Sequence, residues 1–521
     1  MKNGCVYIVG AGPGDPSLIS VRGLRYLEAA DVVVYDHRVH VRLLRSARAE
    51  AELLDVGAAA PRPLEQDAIS LLLAEKARED KIVVRLKWGD PFIFDTGGKE
   101  ALFLHEQGIP FEVVPGIPAA VGAACYAGVP LTYPGGGDVL TFVRGHEGET
   151  EEPPDVNWTR VAATRGTIAV YVGARQLADI VENLRRHGRS ADETAVLIAD
   201  GTTPEQQTVQ GTLADIERQA KDAALRFPAM LVVGAVAGLR EHLRWFDDRP
   251  LSGTRVLVTR SREQAPELVD RLEDLGANPI LAPTIRIEPP ADPSALDRAA
   301  AEAGTYDWIV FTSANGVDAF MTRLVAGRGD VRDLKGAKIC TIGPSTAERL
   351  ERFGIKVDLT PSEYRAEAVV EALRARGALK GKRFLLPRAD LARELLPDEL
   401  RQAGAEVHEV VAYRTALETV ERGGEPDIYR MLLDKQIDAV TFTSASTVRN
   451  FVKIFGSDAA PDLLRATVVA CIGPVTADAA QQLDIQTTVM PSVYTIPALV
   501  DALADYFRAR RASQRPGAGD A

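Results

Sequence analysis

The glycine loop GAGPGD at residues 10–15 is the first segment of this sequence suited to holding a ligand. It lies between an apolar run typical of a strand and a run typical of a helix, and its glycines let a flat, uncharged group lie close to the backbone. A dinucleotide site would need a third glycine where Asp15 stands, and Pro13 lacks the amide hydrogen that a phosphate would use. The loop therefore disfavours NAD and FAD, and a plain strand–helix turn remains its other interpretation.

An internal repeat in the second half of the chain supplies further candidate ligand loops. The segment FTSANGVDAF (311–320) recurs as FTSASTVRNF (442–451), and CTIGPSTAERL (340–350) recurs as CIGPVTADAA (471–480). Each holds Ser, Thr or Gly after a predicted strand, which is where α/β sheets bind ligands. We therefore predict two similar lobes with a ligand cleft between them. The other interpretation is that the lobes share only a fold and its turn chemistry.

Apolar runs rich in Val and Ile alternate with helical patterns from end to end, and these elements must position the loops. Continuous apolar runs are typical of strands that are buried on both faces of a parallel sheet. The alternation predicts an α/β fold with largely parallel sheets. The clearest predicted strands are 6–12, 31–36, 82–90, 110–116, 254–260 and 382–388, and the clearest predicted helices are 17–30 and 97–108.

Composition narrows the classes of function. The 521 residues correspond to about three to four domains, and a net charge of −12 lacks the basic footprint of a nucleic-acid binder. The net charge does not exclude binding of a small anionic substrate, because a local basic cleft can lie in an acidic protein. The cysteines form no CxxC pair and the histidines lack metal-like spacing, so we expect neither a metal site nor a disulfide scaffold (Cys5, Cys125, Cys340, Cys471; His105, His146, His187, His408).

Neither a secretion signal nor a membrane span is predicted, so we expect a soluble, cytoplasmic protein without a membrane partner. Residues 1–15 lack the apolar core and cleavage site of a signal peptide. The uncharged stretch 113–137 is long enough to cross a bilayer, but its four prolines argue against a lipid-exposed helix. Stretches 146–157 and 247–253 predict exposed connections, and 508–521 predicts a disordered tail.

Many motifs of the first half occur in the order typical of one enzyme family. They are VYIVGAGPGDPSLISVRGLRYLEAADVVVYD, VVRLKWGDPFIF, GGKEA, GIPFEVVPGIPAAVGAACYAGVPLT, IAVYVG and PAMLVVGAV. With them, residues 4–246 resemble the uroporphyrinogen-III C-methyltransferases, which are part of the tetrapyrrole methyltransferase family. The resemblance implies two α/β subdomains, S-adenosylmethionine bound in the cleft between them, and a homodimer.

The resemblance also implies roles for individual residues. Asp36 in YDH matches the family's catalytic carboxylate, and a strand-end carboxylate that caps the next turn is the other interpretation. Transfer of a methyl group from a sulfonium to a pyrrole carbon needs in-line geometry, and the later loss of a ring proton needs a positioned acid/base group. The implied cofactor-binding residues are Pro13, Trp88, Gly89, Asp90, Ile93, Pro118, Ala119, Val172 and Gly201.

This sequence departs from the family pattern where basic residues are expected. Ala58 and Ala59 replace a Lys-Arg pair, so the family's catalytic lysine is absent, and Thr96 replaces an arginine that would meet substrate carboxylates. Each lost charge-assisted hydrogen bond is worth about 1.5–3 kcal/mol. An altered substrate, a scaffold role, or compensation by nearby cations are all open (Arg38, Arg42, Arg62, Lys99). Other departures are Trp88 for a glycine, and His37, Tyr133 and Pro134.

The repeated half resembles a second family. The segments VLVTR, DWIVFTSANGV, TIGPSTAERL, LPRADLARELLPDEL, VVAYRT, FTSAS and CIGPVTADAA make residues 251–505 similar to the uroporphyrinogen-III synthases. The resemblance implies cyclisation of hydroxymethylbilane with inversion of the last pyrrole ring, without a metal or cofactor. Tyr413 matches the tyrosine proposed to assist loss of the hydroxyl, and a core-edge tyrosine is the other interpretation.

The repeated loops are suited to grip substrate carboxylates, because their backbone amides are rigid donors. Around them we predict substrate-binding roles for Ser313, Asn315, Ser444, Thr476, Arg260 and Arg388. Solvated surface positions are an equal interpretation for the two arginines.

Together these patterns predict an α/β chain with a two-subdomain tetrapyrrole methylase fold (1–246), a linker (247–253), a two-lobed synthase with flavodoxin-like lobes (254–507) and a tail (508–521). The leading hypothesis is a bifunctional tetrapyrrole-biosynthesis enzyme that makes uroporphyrinogen III and methylates it to precorrin-2, towards sirohaem and cobalamin. A second hypothesis is a synthase whose methyltransferase half is degenerate, retargeted or a scaffold. A third is a two-lobed binding protein that closes on a ligand without chemistry.

Overall fold

The computed structural model describes residues 4–57, 60, 63–145, 155–173, 175–262, 264–326, 329–363, 366–390, 395–417, 427–457 and 459–514. The chain divides into two compact units. The first unit is Met1–Thr254 with Leu272–Asn278 and Phe507–Ala521, and the second is Arg255–Arg271 with Pro279–Tyr506. This division is close to the predicted linker at 247–253, but two short segments from the second half group with the first unit.

The first unit opens with a parallel sheet made of β1 (Cys5–Gly10), β2 (Val32–Tyr35), β3 (Glu52–Asp55), β4 (Ile82–Lys87) and β5 (Phe111–Val114). The strand order is β3-β2-β4-β1-β5. Val and Ile fill the central strands and are buried, as the apolar runs predict. Because the strands run in one direction, the loops after them meet at one edge. Its helices are α1 (Val21–Ala29), α2 (Val41–Leu44), α3 (Gln66–Arg78), α4 (Gly97–Glu106) and α5 (Ala119–Tyr126).

A mixed sheet follows, made of β6 (Leu140–Val143), β7 (Thr167–Val172), β8 (Thr194–Ala199), β9 (Gln207–Thr212) and β10 (Ala229–Val233), in the order β6-β7-β10-β8-β9. Only the β6–β7 pair is parallel. Largely parallel pairing is therefore wrong for this sheet. The connection between β8 and β9 is too short for a parallel crossover, and β10 is antiparallel to β7 and β8, which come earlier in the chain. Its helices are α6 (Trp158–Ala163), α7 (Leu177–Arg186), α8 (Ile216–Asp222) and α9 (Arg240–Leu243).

The second half of the chain forms two α/β lobes. The strands are β11 (Arg255–Val258), β12 (Asn278–Leu281), β13 (Ile285–Glu288), β14 (Trp308–Phe311), β15 (Lys338–Thr341), β16 (Arg383–Ala389), β17 (Glu406–Leu417), β18 (Ala439–Phe442) and β19 (Val468–Cys471). They form two sheets, in the orders β12-β11-β18-β19 and β13-β17-β16-β14-β15. In the second of these sheets β13 is antiparallel to β17, and the other pairs are parallel.

Helices cover both sheets of this half. They are α10 (Pro266–Asp274), α11 (Ser294–Ala301), α12 (Ala314–Ala326), α13 (Pro344–Glu351), α14 (Ala366–Ala375), α15 (Leu395–Gln402), α16 (Ile428–Leu433), α17 (Ala445–Phe455), α18 (Ala459–Leu464), α19 (Pro474–Gln481) and α20 (Ile496–Gln514). Short 3₁₀ helices occur at Pro16–Leu18, Ala235–Leu239, Ala303–Thr305 and Val331–Leu334.

The internal repeat is confirmed in three dimensions. β14 pairs in parallel with β15 in one lobe, and β18 pairs in parallel with β19 in the other. The first and last phenylalanines of each FTSA segment also pack edge to face, Phe311 on Phe320 at 5.6 Å and Phe442 on Phe451 at 5.5 Å. The same loop therefore follows the same strand in both lobes.

The predicted tail is partly wrong, because residues 508–514 continue α20. Ala, Arg and Gln in this stretch are good helix formers, and the buried Phe507 anchors the helix just before it. Residues 515–521, and residues 146–154 of the predicted acidic connection, lie outside the described part of the chain. No helix in that described part is long and apolar enough to span a bilayer.

Candidate active sites

The first unit contains a cavity of about 450 Å³ beside the loops that follow β2 and β4. Residues from the second sheet complete its wall, so the cavity lies where the two subdomains meet, as the family resemblance implies. The lining includes Asp36, His37, Arg38, Gln66, Arg85, Lys87, Trp88, Gly89, Asp90, Ile93, Asp95, Thr96, Ala119, Arg144 and Tyr171.

Glycines bring the predicted ligand loop against this cavity. Gly12 donates to the Gly89 carbonyl at 3.2 Å, and Gly89 donates back to the Gly12 carbonyl at 2.8 Å. Gly89 has a φ of +71°, and a Cβ on Gly116 would lie 2.2 Å from the Gly89 oxygen. No other residue type fits so close an approach. The glycines therefore fasten the loops after β1, β4 and β5 to one another.

Two cations and a glutamate are buried beneath the cavity. Arg85 and Lys87 are two residues apart on β4, so they share one face of the sheet, and their side chains are 2% and 1% exposed. Glu100 on α4 is fully buried, with its Oε1 3.3 Å from Arg85 Nε and 3.1 Å from Lys87 Nζ. Burial pushes the pKa of Glu100 upward, but the two cations outweigh it and the pKa is lowered. Glu100 is therefore an anion at neutral pH.

Asp36 lies directly after β2 and lines the cavity. Its Oδ1 accepts a hydrogen bond from Arg85 Nη2 at 2.7 Å, and its side chain is 25% exposed. The turn that follows is closed by the Asp36 backbone carbonyl, which accepts from the Val39 N–H at 2.9 Å. The geometry thus leaves the side chain at the cavity, and its catalytic role stays a prediction.

Asp95 and Thr96 lie at the other end of the same network. Lys87 Nζ lies 2.9 Å from Asp95 Oδ1 and 3.0 Å from Thr96 Oγ1. Burial raises the pKa of Asp95, although Lys87 acts to lower it. Thr96, which replaces the family's arginine, therefore accepts a hydrogen bond from a lysine that is already in the site.

A smaller cavity of about 260 Å³ adjoins the first, and shares with it Arg38, Trp88, Ala119 and Tyr171. Small and uncharged residues dominate its wall, among them Pro13, Gly14, Ala119, Ala123 and Gly201. The Trp88 indole N–H donates to the Pro13 carbonyl at 2.8 Å, and the Arg38 guanidinium lies 5.1 Å from the Trp88 ring centre. Trp88 is thus a fixed wall of both cavities.

Most residues predicted to bind a cofactor line one of these cavities, namely Pro13, Trp88, Gly89, Asp90, Ile93, Ala119 and Gly201. Asp90 also shapes its loop, because its carboxylate accepts from the Gly116 N–H at 3.0 Å and the Phe92 N–H at 2.9 Å. Pro118 precedes α5 and lines neither cavity.

Val172 also lines neither cavity, because its side chain is fully buried in the core beneath the second sheet, and its cofactor-binding role stays a prediction. Successive residues of a strand face opposite sides of the sheet, so Tyr171 lines the cavities instead.

The cations proposed to compensate for the missing family residues have different positions. Arg38 lines both cavities, whereas Arg42 and Lys99 line neither. Ala58, Ala59 and Arg62 lie outside the described residues. Arg144 adds positive charge to the larger cavity. The cavity thus keeps a basic lining, supplied by other residues than the family pattern indicates.

In the second unit, a hydrogen-bonded group surrounds Tyr413 on β17. The Tyr413 hydroxyl lies 3.1 Å from Ser313 Oγ, which also accepts from the Gly316 N–H at 3.0 Å. Burial raises the pKa of Tyr413, while hydrogen bonds from Ser313 and Asn315 act to lower it. The phenol is therefore protonated at neutral pH. A 9% exposed tyrosine with a bonded hydroxyl also fits a core-edge residue, so its role stays a prediction.

The equivalent loop of the other lobe contains Ser444, which caps α17 by accepting from the Thr447 N–H at 3.3 Å. Ser313 caps α12 in the same way through Gly316. Thr476 lies in α19 and is 4% exposed. Both serines therefore cap the helix that follows their loop, which either interpretation of the repeat allows, and their binding roles stay predictions.

The two strand-end arginines differ in their partners. Arg388 is 6% exposed and forms an ion pair with Glu409 on the neighbouring strand β17. Arg260 donates to Gln264 Oε1 at 3.1 Å, and among the described residues its buried Nε has no acceptor. Burial lowers the pKa of Arg260. In the described part of the chain Arg260 thus keeps a buried donor without an acceptor, whereas Arg388 is paired within the sheet; the substrate-binding role of each arginine stays a prediction.

Sequence reasoning missed Arg85, Lys87, Glu100, Tyr171 and Gln264. Two charges at alternate positions of the apolar run VVRLKW were a usable signal, because charges in a buried strand require partners. The described residues hold no group of three His, Cys, Asp or Glu side chains that could bind a metal.

Comparison with known proteins assigns both halves. A family model for Uroporphyrinogen-III synthase HemD matches residues 266–501, and a model for Tetrapyrrole (Corrin/Porphyrin) Methylases matches residues 5–217. Porphyrin biosynthesis protein HemD of Ruminiclostridium josui is 34% identical over 507 residues, which cover 97% of this chain and 98% of that protein.

Two further relatives match less of the chain. Uroporphyrinogen-III C-methyltransferase of Bacillus subtilis (strain 168) is 34% identical over 372 residues, or 71% of this chain and 76% of that protein. A crystal structure of uroporphyrin-III C-methyl transferase from Thermus thermophilus, complexed with S-adenyl homocysteine, is 35% identical. It covers 45% of this chain and 100% of that one, with a TM-score of 0.40.

Proposed function

The chain belongs to the family in which a tetrapyrrole methylase is joined to a uroporphyrinogen-III synthase, and from this premise we propose its two reactions. It is a bifunctional enzyme of tetrapyrrole biosynthesis. The second half cyclises hydroxymethylbilane to uroporphyrinogen III with inversion of the last ring. The first half transfers methyl groups from S-adenosylmethionine to that product and gives precorrin-2. The observation that carries this proposal is the match of one relative to nearly the whole chain.

The two cavities of the first unit fit S-adenosylmethionine. Their volumes, about 450 and 260 Å³, are of the size usual for small-ligand sites. Gly14, Ala123 and Gly201 offer an uncharged surface on which a nucleoside can lie, and Asp36 places a carboxylate in the neighbouring space where a sulfonium would be attracted. When bound, the cofactor supplies an electrophilic methyl group.

The residues of the larger cavity would orient the acceptor. Arg38 and Arg144 line it and can meet carboxylates of uroporphyrinogen III through charge-assisted hydrogen bonds. Arg85 fixes Asp36 from below, so that this carboxylate has one defined position. A fixed position matters because in-line transfer depends strongly on the distance and angle between the reacting atoms.

A specific observation favours one alternative, in which only the synthase is active and the first unit is a degenerate, retargeted or scaffolding domain. Ala58 and Thr96 replace two basic residues of the family pattern, and Trp88 replaces a glycine in the wall of both cavities. The buried pair Arg85 and Lys87 argues for activity, because buried charges cost stability and a mere scaffold has no use for them.

For the synthase half, we place the protonated Tyr413 phenol at the leaving hydroxyl of hydroxymethylbilane. It donates a proton as the carbon–oxygen bond breaks, and water leaves. The resulting azafulvene cation closes onto the last ring, and the spiro intermediate rearranges. Ser313 holds the Tyr413 hydroxyl, and Arg260 offers a substrate carboxylate its Nε donor, which has no acceptor among the described residues. No step of this proposed reaction needs a cofactor.

The homodimer that the resemblance implies is also proposed, with the first unit as its contact. Sedimentation of the full chain tests it, and a single monomeric species would contradict it.

The deciding experiment incubates the full chain with hydroxymethylbilane, with and without S-adenosylmethionine, followed by isomer analysis and mass spectrometry. We expect the type III isomer in both samples and a gain of two methyl groups only with the cofactor. Type III product without methylation would support the synthase-only alternative. If hydroxymethylbilane is not converted at all, the hypothesis of a two-lobed binding protein is the one supported.

A further inference from the structure

Trp88 lines both cavities of the first unit and is held in place by its neighbours. Its indole N–H donates to the Pro13 carbonyl at 2.8 Å, and its ring packs against the buried cluster that contains Ala119 and Tyr171. The central carbon of the Arg38 guanidinium lies 5.1 Å from the ring centre. Arg38 also lines both cavities. The ring and the guanidinium therefore form a stacked pair where the two cavities adjoin.

We propose that Trp88 is a positioning residue for the methyl acceptor, because its ring holds the Arg38 guanidinium where that group receives an acceptor carboxylate. The family pattern has a glycine where Trp88 stands and an arginine where Thr96 stands. In this chain the carboxylate contact moves from position 96 to position 38, and the indole ring supports it there. The two departures from the family pattern are thus parts of one change. The inference rests on the proposed methyltransferase function.

The two buried cations of the larger cavity are poorly placed for this contact. The side chains of Arg85 and Lys87 are only 2% and 1% exposed. Arg85 donates to Asp36 at 2.7 Å, and Lys87 Nζ lies 2.9 Å from Asp95 Oδ1. An acceptor carboxylate at either cation would compete with these anions. Arg38 is half-buried in the cavity wall, so an acceptor can reach it.

A guanidinium on an aromatic face is well suited to bind a carboxylate. The ring attracts the cation through its quadrupole, and indole does so best among the aromatic side chains. The contact itself uses no N–H group, and a guanidinium can donate two parallel hydrogen bonds to one carboxylate. An arginine loses much side-chain freedom when it binds a ligand, and one that a ring already holds loses less. Trp88 thus favours acceptor binding by pre-organising Arg38.

The indole N–H connects this stacked pair to the loop of the smaller cavity. Pro13 belongs to the glycine loop after β1 and lines that cavity. Because one side chain contacts both Pro13 and Arg38, a carboxylate on Arg38 has a defined distance from a cofactor in the smaller cavity. In-line transfer depends strongly on such a distance. The contact therefore selects an acceptor with a carboxylate close to the carbon that is methylated, and every pyrrole ring of uroporphyrinogen III carries such groups.

The test compares Trp88→Leu, Trp88→Phe, Arg38→Ala and the double variant Trp88→Leu/Arg38→Ala with wild type in the full chain. We measure kcat and KM for uroporphyrinogen III at saturating S-adenosylmethionine. Calorimetry gives the Kd of S-adenosylhomocysteine and, with that ligand bound, the Kd of uroporphyrin III, the oxidised form of the acceptor. The matched control is Trp245→Leu, which breaks a contact of the same kind with Arg249, at 4.7 Å, and lines neither cavity.

Trp88→Leu should raise the KM of uroporphyrinogen III and the Kd of uroporphyrin III by about 3- to 30-fold, the usual range for a partly buried cation–π contact. Trp88→Phe keeps a ring under Arg38, so its KM should rise less. Its affinity for S-adenosylhomocysteine should fall by about fivefold, because the hydrogen bond to Pro13 is lost. Arg38→Ala should raise KM at least as much as Trp88→Leu. Adding Trp88→Leu to Arg38→Ala should raise KM no further, because the ring acts through the guanidinium.

Binding of S-adenosylhomocysteine shows that each variant is folded. If Trp88→Leu does not fold, Trp88→Gly takes its place, because the family pattern has glycine there. Effects of Trp88→Leu and Arg38→Ala that multiply in the double variant would overturn this inference and leave the proposed function intact. So would a KM and Kd for Trp88→Leu equal to those of Trp245→Leu.

The wild type separates this inference from the proposed function. A wild type that binds uroporphyrin III but never methylates uroporphyrinogen III would overturn the proposed function, and the Kd values of the variants would still decide the role of Trp88. A wild type that neither binds uroporphyrin III nor methylates uroporphyrinogen III would overturn both.

Discussion

Gln264 donates from its Nε2 to Asn315 Oδ1 over 3.1 Å, and this bond joins the loop before α10 to the first turn of α12. The two residues belong to different lobes of the second unit, because α10 follows β11 and α12 follows β14. Arg260 donates to the other end of the same amide, Gln264 Oε1, at 3.1 Å. Asn315 lies two residues after Ser313, whose Oγ is 3.1 Å from the Tyr413 hydroxyl, so polar groups lead from Arg260 towards Tyr413.

Replacing Gln264 by Leu should therefore slow the synthase without unfolding it. One neutral hydrogen bond is worth about 1 kcal/mol, or roughly a fivefold change in rate. Steady-state turnover of hydroxymethylbilane measures the effect, and Gln402→Ala on the exposed end of α15 is the matched control. Equal rates for Gln264→Leu and the control would show that the bond between the lobes has no part in the reaction.

Replacing Tyr413 by Phe removes the proton donor and keeps the ring. We expect turnover to fall by about 10²-fold, the lower end of the usual effect of general acid catalysis. Ser313→Ala should cost less, because it removes only the partner that holds the hydroxyl. Rates and product isomers are measured together for both variants. A Tyr413→Phe enzyme as fast as wild type would assign Tyr413 to the core edge.

The sequence predicted the strands and the loops that carry the sites, because apolar runs and turn residues are local signals. The run IVVRLK is the strand β4, and the two FTSA segments occupy equivalent places in the two lobes. Asp36 was predicted from the family resemblance; the structure places it at the cavity, directly after β2, and its catalytic role stays a prediction. Antiparallel pairing in the second sheet was not predicted, because it depends on contacts between distant strands.

The hydrogen-bond and ion-pair partners of the charged residues could not be predicted from the sequence. Glu100 is 13 residues from Lys87 on another element, and only the fold places its Oε1 against that ammonium. Arg260 and Arg388 occupy similar places in the repeat, yet of these two only Arg388 forms an ion pair among the described residues. Val172 was predicted from the family pattern, but only the fold shows that the neighbouring Tyr171 faces the cavities, because successive residues of a strand face opposite sides of the sheet.

Replacing Glu100 by Gln should destabilise the first unit and weaken its dependence on pH. The buried cations would lose their shared anion, which costs about 3–5 kcal/mol in comparable sites. Because the folded pKa of Glu100 lies below its usual 4.5, its contribution is present above that pH and is lost as the pH falls through the folded value. Urea unfolding followed by tryptophan fluorescence reports mainly on this unit, which holds Trp88, Trp158 and Trp245.

The outcome for Glu100→Gln is checked by comparing unfolding at neutral and acidic pH. Wild type should lose more stability on acidification than the variant does. An equal loss in both proteins would show that other carboxylates cause the acid sensitivity of this unit.

The arginines of the repeat provide a matched pair of substitutions with opposite expected effects. Arg260→Ala removes a guanidinium with an unused buried donor, so kcat/KM for hydroxymethylbilane should fall by about 10- to 100-fold, as expected for one charge-assisted hydrogen bond. Arg388→Ala leaves the Glu409 carboxylate without its buried partner. This variant should therefore be less stable and show lower hydrogen-exchange protection of β16 and β17. The fraction of enzyme that stays folded should keep its kcat/KM. Arg260→Lys should retain part of the activity, because the charge remains while the fork of donors is lost. The opposite result, a lower kcat/KM for Arg388→Ala without loss of hydrogen-exchange protection, would contradict this expectation. It would show that the wild-type ion pair with Glu409 opens to admit the substrate, so that Arg388 and Arg260 bind substrate in the same way.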